Sequence, residues 1–207
     1  MSQQIFTVGQ LVRRLNIEDG HIILIGDGSG SIWARAGGWA CVLINRLTQK
    51  RKLFYGSLNV ANTQITELWP YLHAIEWFVG VKTEGPKFRK QLAQRGELVT
   101  IDIITDNRAV ALAGNTPDYR KKYRTSWAMI DALSNSYRVR WHHVPRNVVH
   151  MNILVDEIAR QARLKAKGVE NDALAVLARR YKGFPQEATI YDVLPESFPE
   201  GMTDVVV

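Results

Sequence analysis

The chain has 207 residues, enough for one domain with extensions, and its 46% apolar and 23% charged side chains are those of a soluble globular protein. No apolar run approaches the ~20 residues that cross a bilayer, the first ten residues lack a secretory layout, and a single cysteine, Cys41, excludes an internal disulfide, so a reducing cytoplasm is the expected location. The net charge of +7 hides an asymmetry: residues 1–182 carry 27 basic and 15 acidic groups, whereas residues 183–207 carry five acids and no base, and a basic body points to a polyanionic partner, nucleic acid first.

In chain order, residues 9–15 form a short amphipathic piece, expected as a peripheral helix or arm. The run Ile22-Ile23-Leu24-Ile25 predicts a strand buried on both faces, stopped at Asp27 by a turn through Gly28 and Gly30. Residues 31–38 then read as a loop with Trp33 and Arg35, and 39–45 and 51–58 as an antiparallel hairpin with Trp39 in the core.

Residues 63–79 predict a helix with Leu68, Leu72, Ile75 and Val79 on one face. Thr63 or Thr66 is available as N-cap, placing Glu67 and Pro70 in the first turn. A basic connector with a short helix over 86–94 leads to a strand over 98–105 that ends at Asp106-Asn107. Within that strand Asp102 is expected to face solvent or a basic neighbour at a sheet edge. A short helix over 107–113 is followed by the loop Tyr119-Arg120-Lys121-Lys122-Tyr123-Arg124 and a helix over 125–136. A half-buried strand spans 138–144, with Trp141 expected in the core, and a long helix over 149–167 carries Asp156 two turns in. A further helix over 171–181 and an acidic tail complete the chain. The order βββαβαβα predicts one α/β domain with a mixed sheet.

Asp27, Glu67, Asp106 and Asp156 come from two strand ends, a helix start and a helix body. The ends of the first and fourth strands can be neighbours in a mixed sheet, and gathered carboxylates repel one another unless cations sit between them. Oxygen donors without a cysteine or histidine cluster suit Mg²⁺ or Mn²⁺. Two such ions ~3.5–4 Å apart are the arrangement for in-line attack on a phosphodiester.

Asp27-Gly28-Ser29, Thr66-Glu67-Leu68, Thr105-Asp106-Asn107 and Asn152-x-x-x-Asp156 resemble, in order and setting, the type 1 ribonuclease H family over roughly residues 20–167. The resemblance implies a ribonuclease H-like mixed five-stranded sheet flanked by helices. It divides the chain into an N-terminal arm (1–20), a catalytic domain (21–168) and a C-terminal helix with acidic tail (169–207). It implies an endonuclease that cuts the RNA strand of RNA–DNA hybrids with two Mg²⁺ ions, Mn²⁺ as a substitute. Asp27 would bridge both ions, Glu67 and Asp106 completing one shell and Asp156 the other.

The family's histidine ten residues before the last acid is matched by Arg146. His143 and His150 stand nearby as candidates for proton transfer or product release, or for a structural role. The asparagines that read the 2′-hydroxyl are replaced by Thr63 and Gln64, and the long basic handle is shortened to residues 119–124. Substrate contacts are expected from these two, from Gly28, Ser29, Asn107 and Asn152, from Trp33 and Arg35, and from Arg120, Lys121 and Lys122 by phosphate contact beside stacking rings. The alternatives are a structure-specific DNA nuclease of junction-resolvase type, or a non-catalytic nucleic-acid-binding module. No membrane contact is expected. The acidic tail would cover the basic groove, contact a basic protein, or serve as a plain extension.

Overall fold

The computed structural model describes residues 5–31, 36–58, 63–80 and 85–165. Trp33, Arg35, the side chains of Thr63 and Gln64, and the C-terminal helix and acidic tail lie outside the described residues.

Strand β1 (Ile22–Ser31) is the axis of the sheet. Ile22 and Leu24 enter one apolar layer while Ile23 and Ile25 enter the other, as the two-residue period of a strand requires. β2 (Ala36–Asn45) and β3 (Lys50–Leu58) join on one side, antiparallel. β4 (Thr100–Thr105) and β5 (Arg138–His143) join on the other, parallel, giving the order β3-β2-β1-β4-β5. The expected α/β mixed sheet of five strands is what forms.

One boundary differs. β1 does not stop at an acid-glycine turn but pairs with β2 through Ser31↔Ala36, so Asp27 lies inside the strand, opposite Ala40. Ser31 and residues 36–38, expected within a loop, are thus paired strand residues, and 32–35 lie outside the described residues. The glycines serve close packing: a Cβ on Gly38 would lie 2.1 Å from the Ala159 carbonyl oxygen, and one on Gly28 2.2 Å from that of Thr66.

Helices α2 (Thr63–Val79), α4 (Arg108–Asn115) and α5 (Arg124–Ser134) cover one face of the sheet through Leu72, Ala111 and Trp127. α3 (Gly85–Ala93) adds Leu92 to the same layer. Because α2 begins at Thr63, Thr66 lies inside it rather than capping it, Glu67 falls in the second turn, and Pro70 is an interior proline. Pro70 cannot offer the N–H that the Thr66 carbonyl would receive in a regular helix, and the backbone of Gly28 packs onto that carbonyl.

Helices α1 (Val8–Arg14) and α6 (His150–Lys165) cover the opposite face. Thr7 and Gln10 close a reciprocal capping box on α1, and Leu11, Val12 and Ile17 are buried against Ile23 and Val149. The segment expected as a peripheral piece is therefore docked in the core. It is also stitched to the start of α6: Phe6 N–H donates to the Val148 carbonyl at 2.7 Å, and His150 N–H donates to the Phe6 carbonyl at 3.1 Å. Among the described residues no helix is long and apolar enough to cross a membrane.

Asp102 is the second correction. β4 lies inside the sheet, and the Asp102 side chain is fully buried. Its basic neighbours come from β5: Arg140 donates to both carboxylate oxygens at 2.7 and 2.8 Å, and His142 Nε2 lies 2.7 Å away. Burial raises the Asp102 carboxyl, but the hydrogen bonds from His142 and Arg140 outweigh it and hold the group below the usual range.

Candidate active site

β1 and β4 pair only from Ile22↔Ile101 to Ile25↔Ile104 and then part. The fully buried Tyr71 of α2 sits where they separate, donating its hydroxyl to the Gly26 carbonyl at 2.6 Å with the Ile104 carbonyl 3.0 Å away. Asp27 lies just past this point on β1, and Asp106 directly follows β4. The strand-end setting expected for Asp106 is observed. For Asp27 it is observed only relative to β4.

Strand alternation sends Asp27 to the α6 side, with Ile23 and Ile25. Glu67 arrives from the other layer, over the edge of the parted strands, because Gly28 has no side chain to hold α2 away. The result is a cluster in which Asp27, Glu67 and Asp106 each offer a carboxylate oxygen within 4.8 Å of the others. Asp156, two turns into α6, adjoins Asp27, and its charge raises the Asp27 carboxyl.

The cluster is electrostatically strained. Asp27 is 1% exposed, and burial followed by the charges of Glu67, Asp106 and Asp156 pushes its carboxyl well above the ordinary range. Glu67 is pushed up to about 7, by burial first and the Asp106 charge second, against the opposing pull of Arg146 and a hydrogen bond from Asn107. Asp27 Oδ1 accepts the Gly28 N–H at 2.8 Å, but Asp27 Oδ2 and Glu67 Oε2 are buried without a donor. Buried carboxylate oxygens facing one another with no proton donor are costly. A hard divalent cation, which takes oxygen ligands, satisfies them and removes the mutual repulsion, so the residues present fit such an ion.

Arg146 is the cation in reach: its Nε donates to Asp106 Oδ2 at 2.8 Å, and that bond together with the charges of Asp106, Asp27 and Asp156 raises the guanidinium. Asn107 emerges as a positioning residue. Its Oδ1 caps α4 by accepting from Ala109 and Val110 N–H, and its side chain is among the influences that hold the Glu67 carboxyl down.

The remaining candidates separate by environment. Lys121 and Lys122 are exposed, whereas Arg120 turns inward, donating to the carbonyls of Ala113 and Gly114, pairing with Asp131 and lying over the Trp127 ring. Arg120 therefore braces its loop instead of facing a ligand. His143 is exposed at the end of β5, while His150 is half-buried at the start of α6, where burial lowers its imidazole. Asn152 is buried one turn before Asp156, with its Oδ1 lacking a donor. Gly28 and Ser29 form strand pairs with Trp39 and Gly38, and Trp39 and Trp141 are core residues as expected. Tyr71 was not foreseen; its only signal was its position one turn after Glu67 on a helical face.

Solved structures share this fold. The N-terminal ribonuclease H domain of a Mycobacterium tuberculosis protein, solved as a maltose-binding-protein fusion, aligns with a TM-score of 0.52 at 15% identity, over 71% of this chain and 96% of that one. A ribonuclease H1 isolated from compost by a metagenomic approach gives 0.54 at 16% identity, over 72% and 99%. The foamy viral protease–reverse transcriptase, solved in complex with an RNA/DNA hybrid, gives 0.51 at 16% identity, over 70% of this chain and 20% of that one. No protein-family model and no curated protein matches the chain. The likeness fixes the fold: it is ribonuclease H-like.

Proposed function

We propose that this chain, ribonuclease H-like in fold, is a metal-dependent endonuclease that cuts the RNA strand of RNA–DNA hybrids by two-metal-ion hydrolysis. The observation that carries the reading is the meeting of Asp27, Glu67 and Asp106 within 4.8 Å, from three separate elements, with two of their buried oxygens lacking any donor. A binding module gains nothing from massing buried negative charge where a phosphate must approach.

Asp27, Glu67 and Asp106 are the residues we assign to one ion, and Asp27 with Asp156 to the second. Mg²⁺ is the ion the oxygen donors suit, with Mn²⁺ as a substitute. Bound ions of this kind supply Lewis acidity at a phosphodiester and a nucleophile at neutral pH. The protein's own part is positional. Tyr71 holds the parted strands, Asn107 lowers the Glu67 carboxyl, and Arg146 neutralises Asp106 while reaching outward from a 62% exposed side chain toward an incoming phosphate. Lys121 and Lys122 supply a phosphate-binding flank, consistent with the basic body of the chain. The foamy viral neighbour bound to a hybrid supports the choice of substrate class.

The test incubates the protein with labelled RNA–DNA hybrid and Mg²⁺, beside Asp106→Asn and beside branched DNA of the same sequence. Cleavage of the hybrid by the wild type and loss of at least ~10²-fold in the variant is the expected result. Equal cleavage by both proteins would remove the site, and preference for branched DNA would transfer the chemistry to a junction nuclease.

A further inference from the structure

Next to the acids, α2, α4, α5 and the 119–123 segment enclose a cavity of about 280 Å³. Two of its lining residues, Leu68 and Asn107, directly follow Glu67 and Asp106 in the chain. Its inner wall is apolar, built from Leu68, Val110, Ala113 and the Trp127 ring. Its mouth carries Tyr119, 57% exposed, and the exposed Lys121 and Lys122, and no acid lines it. The size is at the small end of ligand pockets (~300–1,000 Å³), right for a ring system and too small for a peptide or a duplex.

Tyr123 adds a second sign. It opens α5 in the left-handed region (φ 57°) without capping the helix through its side chain, an unusual backbone for a bulky residue, and its ring lines the cavity. Strained backbone of this sort is retained where it sets up a site. Aromatic and aliphatic walls behind a two-lysine mouth match the two halves of a nucleotide. A flat base stacks or packs within, and its phosphate meets the ammonium groups. A paired base shows only its edges to a protein, so the occupant has to be unpaired.

We infer that this cavity binds one unpaired nucleobase of the bound strand beside the scissile phosphate, so that the protein favours substrates with a bulged or frayed nucleotide next to the cut. The inference rests on the nuclease reading for its substrate class. The tryptophan-, tyrosine- and lysine-lined chamber itself is independent of metal.

The probe is an RNA–DNA hybrid carrying 2-aminopurine, bulged or paired, at successive positions around the cleavage site. Affinity and 2-aminopurine fluorescence are read in EDTA, and cleavage rates in Mg²⁺. At one register the bulged probe should bind at least about fivefold more tightly than the paired one, the equivalent of ~1 kcal/mol of stacking, with its fluorescence quenched. Ala109→Trp, at an exposed lining position in the first turn of α4, should fill the mouth and bring that ratio to one. Circular dichroism checks that the fold is kept, and Lys121→Ala/Lys122→Ala gives a second variant that should reduce the ratio without altering the core. Equal affinity for both probes at every register, or a ratio untouched by both variants, overturns the inference. Discrimination without any cleavage keeps the pocket and removes the nuclease reading; cleavage of paired hybrid without discrimination does the reverse.

Discussion

Arg146 Nε lies 2.8 Å from Asp106 Oδ2, joining a largely exposed guanidinium to a carboxylate whose side chain is only 3% exposed. In a cluster of acids this is the one ion pair among the described residues, and it occupies the role a divalent ion would otherwise fill. Arg146→Ala should lower the stability of the EDTA-treated protein by about 1 kcal/mol, since solvent screens the arginine end of the pair. Saturating Mg²⁺ should then raise the melting temperature by more in the variant than in the wild type. Equal gains in the two proteins would show that the arginine does not stand in for the ion.

Asp27→Asn should separate stability from activity. It removes the most deeply buried charge of the cluster, so the metal-free variant should unfold at a higher temperature, by the equivalent of ~1–3 kcal/mol, while hybrid cleavage falls to background. Calorimetry in EDTA beside the cleavage assay decides it; a variant less stable than wild type would mean that Asp27 already has a partner that offsets its burial.

The pH dependence follows from Glu67, whose carboxyl is pushed up to about 7 from an ordinary 4.5. A group raised on folding contributes stability that is complete below its unfolded value and is lost as the pH rises through its folded value. Metal-free protein should therefore lose stability between about pH 4.5 and 7, on the order of 3 kcal/mol from this group, with Asp27 adding in the same direction. In Mg²⁺ the slope should flatten. A stability that rises over this window in EDTA would contradict the clustering of the acids.

Gly28→Ala tests the close approach that delivers Glu67. The new methyl would meet the Thr66 carbonyl oxygen at 2.2 Å and the Glu67 nitrogen at 2.7 Å, both backbone atoms, so α2 has to move outward. A loss of about 1–3 kcal/mol is expected, accompanied by weaker Mn²⁺ binding in titration calorimetry. Unchanged metal binding would show that Glu67 does not depend on this contact.

Much of this was legible in the residues. The acids could be placed because each lies beside a strong element signal: a run of isoleucines, a helical face, a second apolar strand, a long amphipathic helix. Strand order was not legible, and Asp102 shows why. An acid in an apolar run reads as an edge residue until it is known that β5 closes over β4 and carries Arg140 and His142 to meet it. Glycines misled for a related reason. Gly28 looked like a turn former and Gly38 like the end of a loop, whereas their use is to admit the backbones of α2 and α6. Arg120 looked like its two lysine neighbours, and only the carbonyls of Ala113 and Gly114 reveal that it points inward.

Asp102→Asn gives a check remote from the acids. It removes the buried one of the two carboxylates that Arg140 pairs with, leaving the more exposed Asp19, and a loss of ~1–3 kcal/mol is expected, with the Mg²⁺ dependence of melting unchanged. A variant of wild-type stability would mean that Asp19, which also pairs with Arg140, carries that arginine alone.

The stitch between Phe6 and the start of α6 ties an early-made segment to a late one. Asp156 rides on that same late helix. On a translating ribosome the first three acids emerge well before the fourth, and the strap that seats α6 waits until that helix arrives. The four-acid site we propose is thus completed only near the end of synthesis of the described region.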